Sequence, residues 1–333
     1  MGGQVMQKMP QIISETNFSS DMDNEVIPFL TPIRQCDYLP IDASRGDAGR
    51  LYYETYCPPN AHSALVISHG FCETIEKYKE VIYYFVKMGF QVYLADQRGH
   101  GRSLRDTGHA NMVHINRFED YVETLHHFVL SVVKPKTRSI PLYLYAHSMG
   151  GGIGALYLET YPDTFQKAIL TSPMLAISMG PVPAFLAKGL GFLMVKLGRA
   201  ESYAPGQHAF ISGEKWEESG SACEERFRYY QQKKESTPLF QNSGSCYGWA
   251  YQSLCACHRI TQKRNCAKIT VPVLVFQSKN DTFVKASAIR RFVQYTTTAK
   301  LVSIEGSRHE IYNSHQKVLI PYYQEIFRFL ESE

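Results

Sequence analysis

From Ser63 onward, short apolar runs alternate with stretches of helical periodicity. ALVISHG precedes a helix through Tyr83 and Phe85; FQVYLAD precedes a helix near 120–133; PLYLYAHS precedes one that runs from Ser148 to about Tyr161. AILTSPML, VPVLVFQS and KLVSIEG add three more strands. Strands buried on both faces read as near-continuous apolar runs, and their alternation with helices predicts an α/β fold: a mostly parallel central sheet with helices on both faces.

Two stretches break the rhythm. Residues 1–35 are polar and turn-prone apart from VIPFL, and are expected to lie on the body as a lead-in segment. Residues 176–261 are rich in Gly, Ser and aromatics, with helical pieces and no strong strand, as an inserted, mainly helical cap would be. The core is therefore expected at 36–175 and 262–333. Within the cap, PVPAFLAKGLGFLMVKL is interrupted by Lys188 and Lys196 and is too short to span a bilayer. It reads equally as a helix on the core and as an apolar wall for an acyl chain, and any membrane contact is expected to be peripheral, through the cap.

Composition narrows the function. A net charge of +4 spread along 333 residues lacks the basic stripe that tracks a phosphate backbone, so no nucleic-acid partner is expected, nor is an obligate protein partner inferred. The eight cysteines form no disulfide framework and read as reduced thiols. Cys246, Cys255, Cys257, His258 and Cys266 cluster in sequence but lack paired C-x-x-C spacing, so no metal is expected. The first ten residues lack the apolar core of a secretory leader, and Met6 stands where an N-myristoylation pattern wants Ser or Thr. The expected location is cytoplasmic.

The chemistry is carried by AHSMGGG, where a strand runs into Ser148 and then a helix. A sharp strand-to-helix turn lifts a serine hydroxyl clear of the sheet, and the small residues Ala146 and Gly150 on either side let strand and helix approach. A serine needs a base and a group that orients it, in the order Ser, acid, His. Asp281 in SKNDTFV and His309 in GSRHEI each follow a strand end and satisfy that order. The oxyanion donors are expected to be the backbone N–H groups of Phe71, after the strand end His69–Gly70, and of Met149. Supporting roles fall to His69, Gly70, His147 and Gly150, and to Asp96, Arg98 and His100 of DQRGHGRS, whose hydrogen bonds and ion pair would hold the loop beside the nucleophile.

Together HGFCE, DQRGHGRS, AHSMGGG, SKNDTFV and GSRHEI resemble the monoacylglycerol lipase and lysophospholipase L2 group of α/β-hydrolases, which are serine aminopeptidase S33-like. The motifs cover roughly 60–175 and 268–330; ESYAPG in the cap is a looser likeness. This chain has Ala146 and Cys72 where the group commonly has glycine. The resemblance implies an α/β-hydrolase fold, no cofactor, and hydrolysis of an ester of a single-chain lipid through an acyl-enzyme. A lysophospholipid leads and a monoacylglycerol is the alternative. An amidase or aminopeptidase remains open, with Glu214, Glu217, Glu218, Glu224 and Glu225 as carboxylates for a substrate amine. A catalytically silent ligand-binding protein is the reading from a different class.

Overall fold

The computed structural model describes residues 9–332. Eight strands form one sheet: β1 Arg34–Pro40, β2 Arg50–Tyr56, β3 Ser63–Ser68, β4 Phe90–Ala95, β5 Leu142–His147, β6 Lys167–Thr171, β7 Val273–Ser278 and β8 Ala299–Ile304. Their order across the sheet is β1-β2-β4-β3-β5-β6-β7-β8. β2 runs antiparallel to both β1 and β4, and the remaining pairs are parallel.

Alternation along each strand sorts the core into two layers. Ala64 and Val66 of β3 and Leu142, Leu144 and Ala146 of β5 face helices Glu119–Phe128, Met149–Thr160 and Ala286–Tyr295. Leu65, Ile67, Tyr143 and Tyr145 face the opposite way, onto helices Lys79–Lys87 and Gln316–Glu331. Each large apolar side chain buried this way contributes about 1.5–3 kcal/mol, so both faces are firmly covered.

The apolar pattern gave no sign of β1 and β2. β1 is almost wholly exposed at the sheet edge, and β2 buries Glu54 in mid-strand, where a pattern reading expects an apolar residue. Glu54 is accommodated because Lys79 and Arg34 each donate to it at 2.6 Å, so the buried charge is paired.

Ile12, Phe18, Met22, Val26 and Leu30 bury against the second layer, so residues 9–33 lie on the body as a strap. The acylation reading, and the leader reading apart from Met9 and Pro10, fall on residues 1–8, outside the described residues. Span 176–261 carries helices Ala184–Lys196, Glu224–Ser236 and Tyr247–Ile260. It also contributes a two-residue strand, Gly244–Ser245, parallel to Met112–Val113. Helix Glu224–Ser236 is pinned to the body by Arg226, fully buried, which forks onto Glu80 and donates to the Ile13 carbonyl at 2.8 Å. Helix Ala184–Lys196 instead leaves Phe185, Leu186, Leu190, Phe192 and Leu193 exposed. No helix of the described residues is long and apolar enough to cross a membrane.

Candidate active site

The parallel strands end along one edge of the sheet, and the loops that leave it there carry the chemistry. Ser148 follows β5 at φ 51° and ψ −117°, in the strained region an L-residue avoids, and is the N-cap of helix Met149–Thr160. This turn needs a very close neighbour: a Cβ on Gly150 would come within 2.1 Å of the Ser68 carbonyl oxygen, so glycine alone allows the helix to dock on β3. Ala146, completely buried, fits where the related pattern has glycine.

Asp281 lies just past β7 and His309 just past β8. The Ser148 hydroxyl donates to His309 Nε2 at 2.7 Å, and His309 Nδ1–H donates to Asp281 Oδ2 at 2.7 Å. The other Asp281 oxygen accepts the backbone N–H groups of Phe283 and Val284 at 2.8 and 3.0 Å, which fixes the carboxylate. Burial by itself would raise the Asp281 carboxyl, but the hydrogen bond and charge of His309 and those two N–H groups hold it below the usual range. The Phe283 ring lies 5.0 Å from the His309 ring, centroid to centroid, and limits its swing. This chain of groups can draw a proton from a serine hydroxyl.

Phe71, Cys72 and Ser148 all line one cavity of about 930 Å³. Met149 is the first residue of its helix, where N–H groups have no intrahelical acceptor. The Phe71 ring packs against Trp249, tilted by 40° with 4.3 Å between ring centroids, which steadies the loop. Cys72 sits at φ 58°, and burial pushes its thiol up to about 12, with the Lys234 charge pulling the other way. It is therefore a thiol, not a nucleophilic thiolate.

The supporting residues are placed as follows. His69 accepts the Gln97 N–H at 2.7 Å and bonds the Gly70 carbonyl at 2.8 Å, tying the ends of β3 and β4 together. His147 bonds the Thr171 carbonyl at 3.2 Å; burial pushes it down to about 3, so it stays neutral beside His309. Asp96 accepts the N–H groups of Ile75 and Arg102 at 2.8 and 2.9 Å, and its ion-pair partner is Arg102. Arg98 forks onto Asp106 at 2.5 and 2.6 Å, and buried His100 bonds the Arg98 carbonyl. Arg102 also pairs with Glu76 at 3.3 Å, and Asp96 and Arg98 do not pair with each other.

Glu73 was missed by the motif reading. Its buried carboxylate accepts from the Gly70 N–H at 2.6 Å, the Tyr78 hydroxyl at 2.7 Å and the Tyr312 hydroxyl at 2.6 Å, and pairs with Lys77 at 3.3 Å. It joins the loop before Phe71 to the segment three residues past His309. Its signal in the sequence is a charged residue three positions after Gly70, a spacing suited to a side chain that turns back on a backbone N–H.

Members of the sequence cluster around Cys246 have separate partners in the structure. Cys246 caps a helix and contacts His114, while Cys257 and Cys266 contact the carbonyls of Met174 and Ile260. Among the described residues no group of three or more His, Cys, Asp or Glu side chains is placed to hold a metal ion.

The serine aminopeptidase S33 family model matches residues 59–316, spanning every strand that carries these loops. The chain belongs to this S33 family. Lysophospholipase L2 of Escherichia coli is 29% identical over 261 residues, covering 74% of each chain. Monoacylglycerol lipase of Mycolicibacterium smegmatis is 31% identical over 147 residues, 43% of this chain and 50% of that one. Among solved structures, the monoacylglycerol lipase of Paleococcus ferrophilus aligns with a TM-score of 0.65 at 21% identity, covering 84% of this chain and 98% of that chain. That likeness shows the α/β-hydrolase fold, and the two antiparallel strands at one edge of this S33 protein complete its sheet.

Proposed function

We propose that the protein cleaves the carboxylic ester of a single-chain lipid, a lysophospholipid, through an acyl-enzyme on Ser148. The observation that carries this reading is the hydrogen-bonded Ser148–His309–Asp281 chain opening into a large cavity with Met174, Ile177, Trp249, Phe283 and Val284 on its wall. An apolar wall beside a nucleophile suits an acyl chain, and lysophospholipase L2 and monoacylglycerol lipase are the names its relatives bear.

Ser148 Oγ bonds to the carbonyl carbon as its proton passes to His309 Nε2, and the negative oxygen faces the N–H groups of Phe71 and Met149. The ester C–O bond then breaks, and His309 returns the proton to the leaving glycerol oxygen. Water attacks the acyl-enzyme as His309 Nε2 takes its proton, and the Ser148–acyl bond breaks as His309 returns that proton to Ser148 Oγ, giving the fatty acid and restoring Ser148. Residues 176–261 act as the cap over this site. The exposed apolar face of helix Ala184–Lys196, flanked by exposed Lys196 and Arg199, rests on an anionic membrane surface without crossing it.

The test is fatty-acid release from palmitoyl lysophosphatidylcholine and from monopalmitoylglycerol, with the native protein and with Ser148→Ala. Release that disappears in the variant supports the reading. Release from the monoacylglycerol alone moves the assignment to a monoacylglycerol lipase, and release from neither ester refutes both.

A further inference from the structure

Part of the wall of the cavity carries charge. Helix Glu224–Ser236 presents Phe227, Tyr230, Gln231 and Lys234 to the cavity, the i, i+3, i+4, i+7 positions of one helix face. Two lysines meet this face. Lys77, whose Nζ lies 5.3 Å from the Tyr230 ring centre, is held by Glu310 and by Glu73. It therefore faces two carboxylates, both nearly buried.

Lys234 is different. Its side chain is 8% exposed, but its carboxylate partner, Glu214 at 2.9 Å, is 43% exposed and follows Gly213, which sits at φ 87° on the cavity rim. Glu214 can turn to solvent or to a ligand without being desolvated, whereas Glu73 and Glu310 are fixed by buried partners. The Lys234–Glu214 pair is thus the one able to open, and both of its members line the cavity that holds Ser148.

We propose that Lys234 and Glu214 form a head-group site that selects a zwitterion, a phosphate ester carrying an ammonium group; this rests on the lipid-ester reading above. The phosphate oxygens accept from Lys234 Nζ and the ammonium is taken by the released Glu214 carboxylate. All four charges end up paired. An uncharged glycerol has no reason to open the pair, and a purely anionic head group takes Lys234 but faces Glu214 as a like charge, so the pair discriminates by repulsion as well as by attraction.

The test compares kcat/KM for three palmitoyl esters: lysophosphatidylcholine, lysophosphatidylglycerol and monopalmitoylglycerol. Native protein is expected to prefer the zwitterion to the anion. In Glu214→Gln that preference falls roughly tenfold, the scale of one lost charge contact of about 1.4 kcal/mol. In Lys234→Met, which keeps the apolar stem, both phosphate esters lose roughly tenfold relative to the monoacylglycerol. Glu214 lies on an exposed rim, so its variant reports even where the Lys234 variant folds poorly. Hydrolysis of all three esters with a zwitterion-to-anion ratio unchanged by Glu214→Gln overturns the proposal and leaves the lipid-ester reading intact. Hydrolysis of none overturns both.

Discussion

Replacing Glu73 by Gln isolates what one buried carboxylate does for the site. The native carboxylate receives two donors on Oε2, from Gly70 and Tyr78, and on Oε1 it receives Tyr312 and faces Lys77. Whichever way the amide is turned, its NH2 group confronts a pair of these donors. Hydrogen bonds to a charged group are worth about 1.5–3 kcal/mol each, and the hydroxyls can rotate, so the expected loss of stability is about 3 kcal/mol. Lys77 keeps Glu310, which spares the larger penalty of an unpaired buried cation. The catalytic effect has a separate route. Gly70 directly precedes Phe71, and a misplaced oxyanion donor lowers kcat by about 10²-fold or more while leaving KM little changed. Steady-state kinetics on a soluble ester, with thermal denaturation in parallel, read both quantities. Burial alone would raise the Glu73 carboxyl, but Lys77, His147 and the two tyrosine hydroxyls hold it well below the ordinary range. Its contribution is therefore present above the ordinary carboxylate range and is lost as pH falls toward the depressed folded value, so the stability gap between the two proteins should close in strong acid. A variant that is less stable yet keeps the native kcat would refute the oxyanion part of this reasoning.

Asp281→Asn keeps an acceptor for the Phe283 and Val284 N–H groups but sets an amide against His309 Nδ1, reversing the tautomer so that Nε2 no longer accepts from Ser148. A fall in kcat of roughly 10³–10⁴-fold with near-native KM is expected, and a loss under tenfold would contradict the assigned role. Glu159 is buried with one carboxyl oxygen unpartnered, and burial pushes it up to about 8 despite Arg259 and Lys268. A raised acid loses stability as pH climbs from the unfolded value to the folded one. Glu159→Gln should thus lie within about 1 kcal/mol of the native protein near pH 5 and exceed it by about 4 kcal/mol near pH 8.5 in urea titrations; equal gaps at both pH values would refute this. Phe185→Ser with Leu193→Ser should abolish flotation with anionic liposomes while hydrolysis of a soluble ester persists; flotation equal to the native protein's would remove the membrane contact.

Six parallel strands were legible because each is a short apolar run closed by a turn, a pattern that burial on both faces imposes directly on the five inner ones; edge strand β8, with no fully buried residue, keeps its apolar run through half-buried Leu301, Val302 and Ile304. The groups gathered around Ser148 were legible for a related reason: Ser148, Asp281 and His309 each stand one loop past such a run, so finding the strand end finds the residue. β1 and β2 escaped because their places depend on partners distant in the chain. Exposed β1 has no buried face to pattern it, and the charge inside β2 makes sense only once Lys79 and Arg34 are beside it. Glu73 escaped in part for the same reason: Gly70, Lys77 and Tyr78 lie within five residues of it, but Tyr312, which ties it to the segment after His309, is more than two hundred residues away. What separates the two sets is whether the determining contact is local. Backbone turns and strand ends mark the proposed nucleophile in a few residues, whereas the charges placed around it are visible only when the fold assembles them. The same limit applies to Lys234 and Glu214, twenty residues apart in a span where Glu214 stands out only as one of five carboxylates and Lys234 not at all. Substrate preference in such a protein is therefore written mainly in the contacts of that span, and the bond-breaking chemistry mainly in the strand ends.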